Sequence, residues 1–334
     1  MRLVYRSPGI GGIEHAPLPQ PGAGPGAGQV VIDTLKSGIS RGTESLVFAG
    51  KVPQSEWQRM RCPHQVGTFP FPVSYGYALV GRICAVGTAV RDLQVGDTVF
   101  VLHPHQTRIV VEAASARRIP DGVPPARATL SANMETALNA IWDAALAPGM
   151  KATVVGGGVV GLLTAYLARR VTGEPVTLVD INADRAAVAA ALGLEFSLPE
   201  SAAGGVDTVF HTSATGSGLQ TAIGLAGFEG RIIEMSWYGD KPVTLALGGA
   251  FHSQRLQIIA SQVGHVSPAR RATMDYDGRM REAMGYLEDS ALDELLEPEI
   301  GFMDLPDHLD RVLGPASRAL CQIVDYGNNA TNRA

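Results

Sequence analysis

Two hydrophobic rhythms divide the chain. Up to about residue 120, apolar residues come in short runs broken by glycine, proline and aspartate, and Val30–Leu35, Ala78–Val86 and Thr98–Leu102 read as strands. The first follows a Pro/Gly-rich lead over 17–28, and the last follows the turn Val95-Gly96-Asp97. Between them Phe48–Phe71 has irregular polarity and predicts a long loop holding a single helical turn.

From about Arg127 the rhythm changes to β-branched apolar stretches alternating with helix-period ones. Ala126–Leu146 reads as a helix, and Ala152–Val155 as a strand running into a glycine turn and a second helix that Gly173 ends. The strand Pro175–Val179, a helix over Asp184–Leu192, the strand Asp207–His211, a helix over Gly218–Ala226, and strands Arg231–Met235 and Leu256–Ala260 follow. Such alternation predicts an α/β doubly wound parallel sheet with right-handed crossovers. Its ligand belongs at the carboxyl ends of the strands, beside Asp180, Thr212-Ser213 and Ser236-Trp237. Past Val266 the alternation stops. Residues 270–300 read as helical, Arg270–Asp289 especially, before a last strand Ala319–Val324 and a polar tail, NNATNRA, expected to be disordered.

Within the alternating part, Gly156, Gly158 and Gly161 match the GxGxxG pattern of a strand–turn–helix that binds a dinucleotide. The first glycine allows the tight turn, the second lets the backbone approach a pyrophosphate, and the third lets helix pack on strand. The pyrophosphate is then held by unpaired N–H groups at the helix start, over Val159 and Val160. Asp180, after the next strand, is placed to accept from the adenosine ribose hydroxyls, which favours NAD over NADP without excluding the latter. Ile181 and Arg185 extend this candidate cofactor site; Arg185 either reaches the ribose or is a solvated charge at a helix start. A purely structural βαβ turn is the alternative for the glycines.

Length and composition narrow the picture. At 334 residues two domains are natural. A net charge of −5 with the two signs mixed suggests no nucleic-acid face. Cys62, Cys84 and Cys321 form neither a CxxC pair nor a disulfide framework, as expected of a reducing cytoplasm. The opening MRLVYRSPGIGGIEH has no apolar core of a secretory signal, and no run is long enough to predict a membrane span.

The order of these parts resembles the medium-chain dehydrogenase/reductase superfamily, the alcohol and polyol dehydrogenases. Four segments carry the likeness: SGISRGTE over 37–44, similar to the family's SGICGTD; GYALVGRI over 76–83 with Val86-Gly87, similar to GHExxGxVxxVG; Val95-Gly96-Asp97-Thr98-Val99, similar to xxGDRV; and the glycine turn followed by Val179-Asp180-Ile181-Asn182. The resemblance implies a β-rich GroES-like catalytic domain from residues 1–122 and 266–334 and a Rossmann domain from 123–265. It also implies a homodimer formed through sheet edges of the Rossmann domain, and a small or medium-sized organic substrate.

The chain departs from that pattern where zinc is bound. The family's first ligand, a cysteine, is Ser40; the histidine and glutamate of the second motif are Tyr77 and Ala78; the third ligand position falls in Ser131-Ala132-Asn133; and no cysteine occupies Gln106–Arg117, where the family's structural zinc lobe lies. Zinc needs three or four converging thiolate, imidazole or carboxylate ligands, so none is expected here. SGISRGTE is similar to the zinc-lacking branch that includes the bacteriochlorophyllide 3-hydroxyethyl dehydrogenases.

Without zinc, another donor must stabilise the oxygen of an alcohol or carbonyl substrate. Ser40, Arg41, Thr43, Glu44 and Tyr77 are the candidate catalytic residues, with Tyr77 or Ser40 donating to the substrate oxygen and Arg41 or Glu44 setting its environment. The blander alternative is that Tyr77 fills the metal's space and Arg41 pairs with Glu44. His64, His103 and His105 read as surface or structural residues, and His211 as packed beneath the cofactor or touching it. An NAD(P)-dependent dehydrogenase acting on a hydroxyl/carbonyl pair is therefore expected. The rivals are an enone or quinone reductase and an inactive dinucleotide-binding sensor or partner protein.

Overall fold

The strand Gln29–Ile39 is the spine of the first of two structural units. In the computed structural model, which describes residues 1–17 and 24–327, it pairs over Val30–Ser37 with Leu79–Val86 on one side, and on the other its first half pairs with Arg108–Glu112. Its second half pairs with Cys321–Asp325, which in turn lies parallel to Leu296–Gly301. The spine's alternation puts Val30 and Ile32 inward, against Leu79, Ile83, Val99, Val101, Ile109 and Val111, all buried. A small second sheet joins the hairpin Arg2–Ser7/Ile10–Glu14 to Val73–Ser74 and Val66–Gly67. The expected tail 328–334 and positions 18–23 of the Pro/Gly-rich lead lie outside the described residues.

The second unit is a six-stranded parallel sheet in the order Glu195–Ser197, Thr177–Val179, Ala152–Val155, Val206–His211, Ala226–Glu234, Gln257–Ala260. Chain order reverses beside Ala152–Val155, the switch point at which doubly wound sheets bind ligands. The expected α/β class, a β-rich domain with a Rossmann domain, is the one observed.

The units divide after Ala132 and after Leu295, ten and thirty residues later than the expected 122/123 and 265/266. The second difference has a clear cause. Arg279, on the helix Tyr276–Gly285, is buried and donates to Glu135 Oε1 (3.0 Å), Asn139 Oδ1 (2.6 Å) and the carbonyls of Val263 (2.6 Å) and His265 (3.1 Å). These bonds tie the helix to the Rossmann unit, and a buried guanidinium needs such a full set of acceptors.

Several elements differ from the pattern-based reading. The hairpin at residues 2–14 is unpredicted because Arg6 and Pro8 mark its turn, while Leu3, Val4 and Tyr5 are buried. The helices Arg41–Phe48 and Leu305–Leu313 are also unpredicted. The helix expected over Ala126–Leu146 is two, Pro125–Ala128 and Ser131–Asp143. Residues 296–301 form a strand, where a helical stretch was expected. Phe48–Phe71 holds the expected single turn at Gln54–Glu56 and the short strand Val66–Gly67.

Candidate active site

The glycine turn follows the buried strand Ala152–Val155 and leads into the helix Val159–Thr172. Gly156 has φ +113°, which side chains resist. A Cβ on Gly161 would sit 1.9 Å from Gly156 O and 2.6 Å from Thr212 Oγ1, so only glycine fits. A Cβ on Gly158 would meet nothing within 4 Å, which leaves the helix start open to a ligand. Thr212 Oγ1 braces the turn by donating to Gly156 O at 2.8 Å.

Asp180 closes the other side. Its Oδ2 accepts from Gly157 N–H at 2.5 Å and its Oδ1 from Asn182 N–H at 2.7 Å. Each oxygen keeps acceptor capacity for a ribose hydroxyl. Arg185 lies over Gly157: a Cβ there would be 3.0 Å from Arg185 Cγ and 3.1 Å from Asp180 Oδ2. Ile181, beside them, is 86% exposed, an apolar surface next to the acid. The open turn, the helix N-terminus and the placed carboxylate fit a dinucleotide.

At the ends of the next two strands is a polar chain that the sequence did not disclose. His211 is fully buried; its Nδ1 lies 2.8 Å from Glu234 Oε2 and its Nε2 lies 2.7 Å from Ser213 Oγ. Glu234 also accepts from Ser236 N–H (2.7 Å) and the Tyr238 hydroxyl (2.9 Å). Burial alone would raise the Glu234 carboxyl, but its bonds to His211 and Ser236 outweigh that and hold it below the usual carboxylate range. Ser236 Oγ accepts from Ala214 N–H at 3.1 Å, so Ser213 and Ser236 frame one turn, with Trp237 half-buried after it. His211 thus packs beneath the expected cofactor residues.

The first unit brings together most of the expected catalytic group. Ser40 precedes the helix Arg41–Phe48, and Tyr77 precedes the strand Leu79–Val86. The Tyr77 hydroxyl donates to Ser40 Oγ at 2.7 Å. Burial pushes that phenol up to about 12, against the opposing bonds to Ser40 and Thr43, so it stays protonated near neutrality.

Glu44, one of the two residues expected to set the donor's environment, lies on the helix that Ser40 precedes. It is fully buried, and its carboxylate accepts from Ser40 N–H (2.8 Å) and from the Tyr5 hydroxyl (3.1 Å), and pairs with His105 Nε2 (3.0 Å). The chain continues from His105 Nδ1 to Ser37 Oγ (2.7 Å) and from there to the Tyr326 hydroxyl (2.9 Å). Glu44 therefore sets the backbone of Ser40. Arg41 and Thr43 lie half-buried on the same helix. Tyr5, Ser37, His105 and Tyr326 are members that sequence reasoning missed. His-Pro-His at 103–105 was the available signal, but nothing in it indicates which imidazole turns inward.

The donors at the family's zinc positions do not fit zinc. Ser40 and Tyr77 are hydroxyls bonded to each other, Ala78 has no donor, and among the described residues no group of three histidine, cysteine, aspartate or glutamate side chains converges.

No family model matches the chain. Among curated proteins it is similar to D-guloside 3-dehydrogenase of Escherichia coli, 24% identical over 317 residues, covering 84% of this chain and 88% of that one. It is also similar to 2-desacetyl-2-hydroxyethyl bacteriochlorophyllide A dehydrogenase of Rhodobacter capsulatus, 28% identical over 258 residues, covering 71% and 74%. Among solved structures, one from Sinorhizobium meliloti, described as a zinc-binding dehydrogenase bound to NADP, superposes with a TM-score of 0.76 at 18% identity, covering 97% of this chain and 98% of that one. The chain has the medium-chain dehydrogenase/reductase fold. The named relatives support the expected superfamily and, with it, NAD(P)-dependent dehydrogenase chemistry on alcohols. Among the described residues no helix is long and apolar enough to cross a membrane.

Proposed function

We propose that the chain is a zinc-independent NAD(P)-dependent oxidoreductase acting on a hydroxyl/carbonyl pair of a small or medium-sized organic molecule. The observation that carries this reading is the Tyr77–Ser40 hydroxyl pair at the positions where zinc-dependent members hold metal ligands. Nicotinamide, when bound, supplies the hydride acceptor or donor. Gly156, Gly158, Gly161 and the backbone at Val159 and Val160 would hold its pyrophosphate, Asp180 and Arg185 its adenosine ribose, and Ser213 and Ser236 would lie toward its far end.

Tyr77 donates a hydrogen bond to Ser40 Oγ, and the serine hydroxyl is itself a donor that a substrate oxygen can accept from. A neutral donor pair stabilises a developing alkoxide without itself ionising. Glu44 fixes the Ser40 backbone, so the donor costs no reorganisation during reaction. Asp180 favours NAD, because a 2′-phosphate would meet its charge. The likeness to the bacteriochlorophyllide enzyme supports the zinc-lacking branch but does not carry over its substrate.

The test is turnover of chelator-treated protein with NADH and NADPH across alcohol, aldehyde, enone and quinone panels, with X-ray fluorescence for zinc. Turnover of alcohols or aldehydes without stoichiometric zinc is expected. Turnover of enones or quinones alone would replace this reading with the reductase one. Tight NADH binding with no turnover would favour a sensor or partner protein. Light scattering tests the proposed homodimer.

A further inference from the structure

A cavity of about 450 Å³ opens in the first unit, away from Ser40 and Tyr77, between the N-terminal strand and Arg108–Glu112. Its polar wall includes Arg2, Arg108, His64 and His103, and its apolar wall includes Val66 and Val110. The two arginines are not equivalent. Arg108 is spent on Asp33, with Nε and Nη2 on the two carboxylate oxygens, the latter at 2.8 Å. Arg2 has no such partner among the described residues, and its Nε is buried without a hydrogen bond. A buried guanidinium nitrogen with nothing to donate to is costly, so the site calls for an acceptor.

The imidazoles define the rest. His103 Nδ1 lies 2.8 Å from Pro104 O; a carbonyl only accepts, so Nδ1 carries the proton. Burial lowers the His103 imidazole to about 4, which leaves Nε2 a bare acceptor at neutral pH. His64 stacks on it with ring centroids 5.1 Å apart, and holds a left-handed backbone, φ +58°, that a bulky residue adopts at a cost. The stacked imidazoles therefore present a neutral face with a hydrogen-bond acceptor.

We propose that this cavity binds a small hydroxylated organic acid: the free guanidinium of Arg2 takes the carboxylate, and His103 Nε2 accepts from a hydroxyl. The Arg2 guanidinium calls for a negative charge, and its planar fork matches a carboxylate through two parallel bonds. The carbon skeleton lies on Val66 and Val110. The volume is that of an ordinary small-molecule site. This proposal stands apart from the dehydrogenase reading, and cofactor plays no part in its test.

Isothermal titration calorimetry on the full chain without cofactor, with D-gluconate, D-glucose, acetate and inorganic phosphate as probes, decides it. Gluconate binding at least tenfold tighter than each of the other three is expected, since only it carries both the monoanion and the hydroxyls. Arg2→Gln should weaken gluconate at least tenfold, and Arg2→Lys should recover part of the loss. A gluconate affinity no better than that of glucose, or one unchanged in Arg2→Gln, overturns the proposal; tighter phosphate binding replaces the acid with a phosphate site. A wild-type measurement covers the case of misfolded variants: gluconate should shift the imidazole resonances of both His64 and His103, and absence of both shifts refutes it.

Discussion

Tyr77 donates to Ser40 Oγ across 2.7 Å, while Glu44 holds Ser40 N–H at 2.8 Å. The serine is thus gripped at both its hydroxyl and its backbone, and burial keeps the phenol protonated. Ser40→Ala should lower kcat/KM by roughly 10²–10³-fold, the usual range for removing one donor to a developing oxyanion. Tyr77→Phe should cost less, about tenfold, since Ser40 remains. Because the Tyr77 phenol is pushed up to about 12, the wild-type rate profile should show no alkaline limb from it below pH 11. Steady-state kinetics of both variants from pH 6 to 10.5, read beside their melting curves, check this.

The cofactor preference is testable at Asp180. Asp180→Ser should weaken NADH and tighten NADPH, inverting their ratio of dissociation constants by about tenfold or more. Fluorescence titration with both nucleotides measures it. An unchanged ratio would place the preference elsewhere.

His103 carries a pH dependence of stability. Its folded-state value, about 4, lies below the ordinary 6.5, so between those two values the unfolded chain binds the extra proton. Stability is then full above pH 6.5 and falls with pH through that window, by up to about 3 kcal/mol. Urea unfolding at pH 7.5, 6, 5 and 4.5 should trace that loss, and His103→Phe should flatten it.

Thiol chemistry should single out one cysteine. Burial pushes Cys62 and Cys321 up to about 12, and both are buried; Cys84 is exposed. At pH 8 a disulfide-exchange reagent should modify one thiol per folded chain rapidly, located at Cys84 by mass spectrometry, and all three only after unfolding.

Arg279→Leu should destabilise the Rossmann unit by about 3–5 kcal/mol, because it removes a buried guanidinium from Glu135, Asn139 and the carbonyls of Val263 and His265. Replacing both partners, Arg279→Leu with Glu135→Leu, should recover part of the loss. Denaturant unfolding of the three variants compares them.

What could be read from the sequence follows from how local each signal is. The glycine turn, the helix stop at Gly173 and the parallel strands were legible because their hydrophobic periods and turn residues lie within a few positions of one another. The helix Arg41–Phe48 was not, because its inward face presents Glu44, whose burial depends on Tyr5 and His105, thirty-nine and sixty-one positions away. The same holds for the His211–Glu234 pair: each residue reads as a polar interruption of a strand, and only their adjacency on parallel neighbours makes them a unit. Likewise the boundary near residue 295 follows from Arg279, whose partners lie up to 144 positions away.

The bond between Ser37 and Tyr326 joins residues 289 positions apart, and it completes the buried chain that ends on Glu44. During synthesis the chain grows from its N-terminus, so Tyr326 leaves the ribosome long after Ser37. The Rossmann unit, continuous over 133–295, can close while translation is under way. The unit that holds Ser40 and Tyr77 must wait, its spine strand lacking the partner Cys321–Asp325 until that later segment has been made. Nascent chains stalled short of that strand should therefore bind nucleotide before they hold the serine in place.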